Sequence, residues 1–399
     1  MEQAKPSESQ SWHFLLLYAL AWAGGSIAYV PFLTILLPAR VADLAGDEAV
    51  SWLAQIAFAG AIAASIANIG FGWLSDITRN RRGWILAGVV LSCATLVAAE
   101  PIGKFLPLLV TIVIWQFALN MMLGPLAAWA GDCIPDHQKG TLGGLLAFAP
   151  AIGALSGVIA TSPAISAGAV QIWFVAALVL LFIVPVLMFG RPRAFPELME
   201  PHDKLIVQNV ARIGLKQAAI RMWLARLLVQ IAEAALFAYL LLWFRTLDST
   251  ISDNTTASVF SVVLVLAIPI AMIAGRLADR YDRPILPLMI CAGISALGLA
   301  SMALATTLFS AIGGYVLFGT AAAVFLSLHS AQTLRVLPNA GRSGRDLGLF
   351  NLTNTVPSLI MPWLTLLLVP YFGFAALFAL LALLAGIASV LLLSLSVSK

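Results

Sequence analysis

Long apolar runs, separated by short polar segments, fill almost the whole chain. A helix needs about 20 apolar residues, with a range of about 17–25, to cross the hydrocarbon core of a bilayer. Runs of this kind occupy 12–38, 52–75, 84–100, 107–131, 142–163, 170–189, 221–247, 258–275, 285–306, 308–333, 347–369 and 374–396. The pattern therefore predicts an all-α polytopic membrane protein with 12 transmembrane helices in two six-helix halves.

One long polar stretch interrupts the runs, between Gly190 and Ile220. It is rich in charge and contains Pro192, Pro196 and Pro201. The predicted organisation is an N-terminal six-helix half over 1–190, a cytoplasmic linker over 191–220 and a C-terminal six-helix half over 221–399.

Two polar landmarks recur at one spacing. The loop that contains Asp76 resembles the loop that contains Asp279, and the offset is 279 − 76 = 203. Pro135, which follows the fourth run, corresponds to Pro338 after the tenth, and the offset is again 338 − 135 = 203. A shared offset close to half of the chain indicates duplication of a six-helix unit.

Composition excludes a soluble protein of this size. The chain is 61% hydrophobic and 10% charged, whereas soluble proteins carry about 25% charged residues. A net charge of +4 is compatible with a nucleic-acid partner, but its distribution indicates a lipid bilayer instead. With both termini in the cytoplasm, 18 Lys and Arg residues lie in cytoplasmic segments and 3 in the opposite loops. This bias is typical of a multi-pass protein of the inner (plasma) membrane with both termini cytoplasmic.

Motifs for other activities are missing from the sequence. The cysteines and histidines are scattered, without the spacing of a metal site, and no nucleotide-binding or hydrolase motif occurs. We therefore expect no enzyme activity, no cofactor and no metal.

The loop after the second run reads Gly72-Trp73-Leu74-Ser75-Asp76-Ile77-Thr78-Arg79, followed by Arg81 and Arg82. The loop after the eighth reads Gly275-Arg276-Leu277-Ala278-Asp279-Arg280-Tyr281-Asp282-Arg283. Both resemble the signature loop of the major facilitator superfamily. The resemblance implies a cytoplasmic latch between helices, made by a charge-assisted contact that breaks when this side opens. Its residues would be Gly72, Asp76, Arg79, Arg82, Gly275, Asp279, Arg280 and Arg283. In the alternative, these charges only set the topology.

A narrower resemblance is to the glycoside–pentoside–hexuronide and sucrose-type symporters. It is carried by the segment 345–357, Arg-Asp-Leu-Gly-Leu-Phe-Asn-Leu-Thr-Asn-Thr-Val-Pro, which enters the eleventh run, and by the segment 37–42 after the first. This resemblance implies uptake of a sugar-like solute.

Glu233, in the middle of the seventh run, is the only acidic residue predicted at membrane depth. Arg226, Gln230, Glu233 and Phe237 recur at helical spacing and share one face. Ionisable groups in the membrane usually face a cavity or a partner. A carboxyl group here could load and release protons as solvent access alternates, so Glu233, with Arg226, is the candidate for proton coupling. The alternative is a carboxyl group hydrogen-bonded to a neighbouring helix for packing.

Polar side chains inside other apolar runs are candidates for the substrate cavity. The eleventh run contains Asn351, Asn354 and Ser358 near two prolines, and broken helices often line binding sites. Amides also join membrane helices by hydrogen bonds, so packing is an equal alternative. The complete set of cavity candidates is Gln116, Asn120, Gln230, Asn351, Asn354 and Ser358.

These features predict a secondary active transporter that moves a small organic solute by alternating access, as a proton-coupled symporter for uptake. The partners would be the small-molecule substrate, protons and the bilayer, and the chain would act as a monomer. A proton-coupled antiporter for efflux of drugs or metabolites is the alternative within transport. A non-transporting membrane sensor or assembly factor is the alternative outside it.

Overall fold

The computed structural model describes residues 9–135, 138–146, 148–165, 168–193, 195, 209–281, 283, 285–336 and 343–396. Every regular element in these ranges is a helix. The α-helices are α1 (Trp12–Pro31), α2 (Leu37–Ala45), α3 (Ala49–Thr78), α4 (Arg81–Ala99), α5 (Phe105–Cys133), α6 (Lys139–Leu146), α7 (Ala149–Ala160), α8 (Ala169–Phe189), α9 (Asn209–Leu247), α10 (Asp253–Arg280), α11 (Leu286–Ala303), α12 (Leu308–Val336) and α13 (Ser343–Ser396).

The helices present apolar side chains both to one another and to the outside. Within the described ranges, nine helical stretches are long and apolar enough to cross a membrane. Their outer faces expose large apolar side chains, with Leu181 64%, Leu297 66% and Val390 65% exposed. Such faces are stable against lipid, and helices satisfy their own backbone groups there. The chain is a multi-pass membrane protein, as its apolar runs predict.

The first membrane helix contains an irregular turn that its prolines explain. A π-helix, Phe32–Leu36, separates α1 from α2. Pro31 and Pro38 lack the N–H that an α-helical hydrogen bond requires, and the Leu37 N–H bonds the Phe32 carbonyl five residues back. The Thr34 hydroxyl donates to the Val30 carbonyl at 2.7 Å at the start of this turn.

The structure differs from the predicted boundaries in three places. Helix α9 begins at Asn209, inside the predicted linker, because a charged segment outside the bilayer can be helical without being apolar. The fifth run is divided into α6 and α7. The eleventh run begins earlier, at Ser343 of α13, and the break between the last two runs falls within α13 at Gly373, whose φ of 71° is non-helical and suits glycine.

Two pairs of helices pack together across the predicted linker: α3 against α13, and α7 against α10. Within each part, glycine allows close crossings. A Cβ at Gly88 of α4 would lie 2.8 Å from the carbonyl carbon of Met121 in α5. Small residues at helix crossings are typical of membrane bundles.

Polar contacts identify the two ends of the bundle. The basic end is defined by Gln10, Arg81, Arg82, Asp132 and Arg193. There the Gln10 amide donates to the Cys133 carbonyl at 3.0 Å.

The far end is defined by Arg40, Ile102, Val158 and Asn254. There the Arg40 guanidinium donates to the Ile102 carbonyl at 2.9 Å.

Candidate functional site

Glu233 lies midway along the apolar stretch Ile220–Leu247 of α9. Its side chain is half-buried and borders an internal cavity. The cavity wall comes from α9, α10 and α12: Glu233, Leu236, Phe237, Phe260, Val263, Leu264, Tyr315, Phe318, Gly319 and Ala322.

The cavity is small and mostly apolar. Its volume is about 30 Å³, measured for the centres of water molecules. A water molecule needs roughly 10–15 Å³ on this measure, so there is room for about two. The ionisable groups in the wall are the Glu233 carboxyl and the Tyr315 hydroxyl. The site can therefore hold a proton on Glu233 in contact with water, but it is closed to an organic solute in this conformation.

The cavity also lies next to the N-terminal part of the chain. The ring of Tyr29, in α1, is 6.3 Å from the ring of Phe237, which lies one turn after Glu233. Glu233 acts electrostatically on Tyr29 and on Tyr315. The acidic group thus lies where α1 meets α9, so movement of one against the other would change its surroundings.

Arg226 is buried two turns before Glu233 on the same helix and is 4% exposed. Its Nε donates to Gln230 Oε1 at 3.3 Å, and its Nη1 lies 3.3 Å from His329 Nδ1 of α12. The other nitrogen of His329, Nε2, lies 3.0 Å from the Met222 carbonyl. The predicted polar face of α9 is therefore divided: Arg226 and Gln230 bond each other, whereas Glu233 and Phe237 line the cavity.

Asn120 of α5 bonds α3, and Gln116 bonds Asn120 within α5. The Asn68 amide donates to Asn120 Oδ1 at 3.1 Å, and the Asn120 amide donates to the Gln116 carbonyl at 2.9 Å. These contacts agree with the packing alternative for Asn120, which is 5% exposed. A role of either residue in substrate binding stays a prediction.

The polar residues predicted in the eleventh run lie on α13. Ser358 is half-buried. The side chains of Asn351 and Asn354 lie outside the described part of the structure.

The predicted latch at the basic end contains an ion-pair cluster with Arg81 at its centre. Arg81 pairs with Asp76 at the end of α3, and its Nε is 2.9 Å from Asp132 Oδ2 at the end of α5. It also donates to Ser75 and to the carbonyl of Gly72. The cluster joins the ends of α3, α4 and α5.

The other predicted basic residues of this loop have different positions. Arg79 is exposed and ends α3 with a φ of 51°. Arg82 donates to the Gly190 carbonyl at the end of α8, and its guanidinium lies 5.4 Å from the centre of the Trp129 ring.

The second copy of the loop lies at the end of α10. Gly275 is half-buried there, and Arg280 and Arg283 are exposed. The side chain of Asp279 lies outside the described part, so the contacts of this copy stay a prediction.

A second cavity, of about 260 Å³, lies at the end of α9 beside the break at Gly373. Its wall includes Trp243, Thr246 and Phe374 and carries no ionisable group among the described residues. It is larger than the Glu233 cavity but lacks a group that could couple transport to protons.

Several residues of these clusters were not among the predicted site residues: Tyr29, Asn68, Arg81, Tyr315 and His329. His329 and Asn68 could have been found as isolated polar residues within apolar runs. The two tyrosines carry no such signal, because most aromatic residues in apolar runs are core or interface residues.

A family model described as Major Facilitator Superfamily matches residues 222–399. No curated protein matches the chain at a significant level. The family match covers the C-terminal part, which includes Glu233 and the second copy of the loop. This part of the chain is therefore similar to the major facilitator superfamily.

Proposed function

We propose that this chain is a major facilitator transporter that couples the movement of a small organic solute to protons, with Glu233 as the proton-binding group. The observation that carries the proposal is the position of Glu233: an acidic side chain midway through a membrane helix, at a cavity with room for water, beside the contact between α1 and α9. Ionisable groups in the membrane are costly and mark ion pathways.

The helix packing supports alternating access by two duplicated halves. An offset of 203 relates the loop after α3 to the loop after α10. The contacts of α3 with α13 and of α7 with α10 then form a symmetric pair across the boundary between the halves. Two such contacts allow the halves to rock about a central site. We propose twelve crossings, with the basic end and both termini in the cytoplasm.

Whether the protein is a symporter or an antiporter depends on whether the proton and the solute bind at the same time or exclude each other at Glu233. The sequence favours symport and uptake, in line with the resemblance to sucrose-type symporters, and symport requires proton and solute to be bound together. The second candidate is antiport, in which they exclude each other. The cavity wall favours antiport, because Glu233 is its only acidic group.

The test is a proton-flux assay with the full chain in proteoliposomes over a panel of sugars, organic acids and amines. Inward movement of an accepted solute should drive protons inward if the protein is a symporter and outward if it is an antiporter. Transport of every accepted solute at a rate indifferent to pH would disprove proton coupling.

A second prediction concerns closure of the far end. The Asn254 amide donates to the Val158 carbonyl at 2.8 Å and lies 3.4 Å from the Thr161 hydroxyl, so it joins α10 to α7. A hydrogen bond contributes about 1 kcal/mol. Asn254→Ala should therefore raise the ratio of molecules open at the far end to closed ones about fivefold.

The population can be measured as the distance between spin labels on Asp47→Cys and Ser249→Cys, in a background in which the native cysteines are replaced. Thr255→Ala is the matched control, because Thr255 is exposed and bonds Ser252 in its own turn. An unchanged distance distribution in Asn254→Ala would show that this contact does not hold the far end closed.

A further inference from the structure

The wall of the Glu233 cavity combines one carboxyl group with four aromatic rings. Phe237 comes from α9, Phe260 from α10, and Tyr315 and Phe318 from α12. The rings of Phe237 and Phe260 are 6.1 Å apart in an edge-to-face arrangement. With Tyr29 on the other side of Phe237, aromatic surface extends from α1 to α10.

A glycine makes this arrangement possible. A Cβ at Gly319 of α12 would lie 2.7 Å from Val263 Cγ1 of α10. The side chain of any other residue would displace Val263 or the helix that carries it. Gly319 therefore lets α10 and α12 approach closely, so that the aromatic residues of both helices line the same small cavity.

The wall does not suit a sugar or an anion. A sugar has several hydroxyl groups, and each that is buried without a hydrogen bond costs about 1–3 kcal/mol. The Glu233 carboxyl and the Tyr315 hydroxyl are too few to satisfy them. An anion would be repelled by the carboxylate, and a neutral apolar molecule would leave the carboxylate without a counter-charge inside the cavity wall, since Arg226 acts on it from outside the wall.

An organic cation satisfies both parts of the wall. Its positive charge pairs with the Glu233 carboxylate, and its alkyl or aryl groups contact the rings, whose faces attract cations. Amines and quaternary ammonium groups have this chemistry. Because a proton neutralises the same carboxylate, proton and cation compete for Glu233.

We propose that the Glu233 cavity is the binding site for the ammonium group of an organic cation, which the transporter exchanges for a proton. This inference rests on the proposed function and names the substrate class of the same site. It favours antiport over the symport that the sequence predicts.

The other titratable groups around Glu233 are compatible with a bound cation. α1 contributes Tyr29 and α12 contributes Tyr315, and both lack a positive charge. The described wall residues of α10 are apolar. Arg226 lies on the same helix about 10 Å away along the axis, outside the cavity wall. It bonds Gln230 and His329 and also acts electrostatically on Glu233.

The cavity, at about 30 Å³, is too small for an organic cation in this conformation. The cation therefore binds in a different conformation of the transport cycle, in which the cavity is wider. Separation of α1 from α9, which moves Tyr29 away from Phe237, would widen it on the side of the N-terminal half.

Calorimetry on the full chain in nanodiscs tests the proposal with benzyltrimethylammonium as the probe. Wild-type protein should bind it and release about one proton per cation, with affinity falling about tenfold per pH unit once Glu233 is mostly protonated. Neopentylbenzene, which has carbon in place of the charged nitrogen, should bind at least about 30-fold more weakly, since it lacks the charge pair.

Two variants locate the site. Glu233→Gln should abolish proton release and weaken binding at least about 30-fold. Phe260→Leu should weaken it about three- to thirtyfold through loss of the ring face. Phe309→Leu is the control, because Phe309 is 89% exposed on the outer surface, and should bind as wild type does.

Equal binding of the probe by wild type and Glu233→Gln would overturn the proposal, as would equal binding of neopentylbenzene or no binding of the probe to wild type. The proposed function fails separately. Proton-coupled transport of a non-cationic solute through Glu233 would leave the proposed function standing and overturn the cation site. Cation binding with proton release, but without solute-linked proton flux, would overturn the proposed function and leave only a binding site for the cation.

Discussion

Replacing Glu233 by Gln is expected to abolish transport against a solute gradient when a proton gradient is the driving force. Gln has nearly the same shape as Glu, so it fits the half-buried position beside the cavity. It cannot bind a proton in the physiological range and carries no charge. The substitution therefore removes the coupling group without creating a cavity or a clash.

The measurement is proton flux and solute accumulation in proteoliposomes as a function of pH. Wild-type transport should vary with pH, and Glu233→Gln should neither accumulate solute nor move protons above the level of empty liposomes. Glu48→Gln is the matched control. Glu48 lies between α2 and α3, is exposed, and accepts a hydrogen bond from Trp52 in its own turn. Its variant should keep the wild-type pH profile.

The residual activity of Glu233→Gln shows whether the carboxylate binds only protons or also binds the solute. If the carboxylate binds only protons, solute exchange between equal concentrations should continue in the variant, because it needs no net proton movement. If the carboxylate also binds a cationic solute, exchange should be lost together with accumulation. Normal accumulation and an unchanged pH profile would show that Glu233 has the packing role and that protons bind elsewhere or not at all.

The sequence predicted the helical membrane architecture because run length and the bilayer thickness determine it directly. It also singled out Glu233, since an acidic residue inside an apolar run is conspicuous in one dimension. The family match supports the superfamily assignment but not the narrower sugar-symporter branch.

The surroundings of Glu233 could not be predicted in the same way. Phe260 and Tyr315 reach the cavity because α10 and α12 cross closely at Gly319, and such crossings depend on helix rotation, which apolar runs do not specify. A π-helix such as Phe32–Leu36 is equally hidden, because prolines in membrane helices can also produce a kink. The motif at the basic end gave the region of the ion-pair cluster, but the choice of Arg81 over Arg79 depends on the left-handed turn at Arg79.

The largest effect expected at the basic end is that of Asp76→Asn, which should impair transport while leaving the amount of protein near normal. Arg81 is only 12% exposed and shared between Asp76 and Asp132. A hydrogen bond to a charged group contributes about 1.5–3 kcal/mol. Loss of this bond would lower the ratio of latched to unlatched molecules about 10- to 150-fold. Because α3 also packs against α13, release of its end would disturb the contact on which rocking depends.

A matched pair of substitutions separates the latch from a role in topology alone. Arg79→Gln and Arg81→Gln each remove one positive charge from the same loop. If these charges only orient the chain, the two variants should behave alike, and Asp76→Asn should be silent because acidic residues contribute little to orientation. If Arg81 is the centre of a latch, initial transport rates should fall strongly in Arg81→Gln and Asp76→Asn and stay near wild type in Arg79→Gln, at equal protein levels in the membrane. Equal rates in all three variants would exclude the latch, because the exposed Arg79 and the paired Arg81 would then be equivalent.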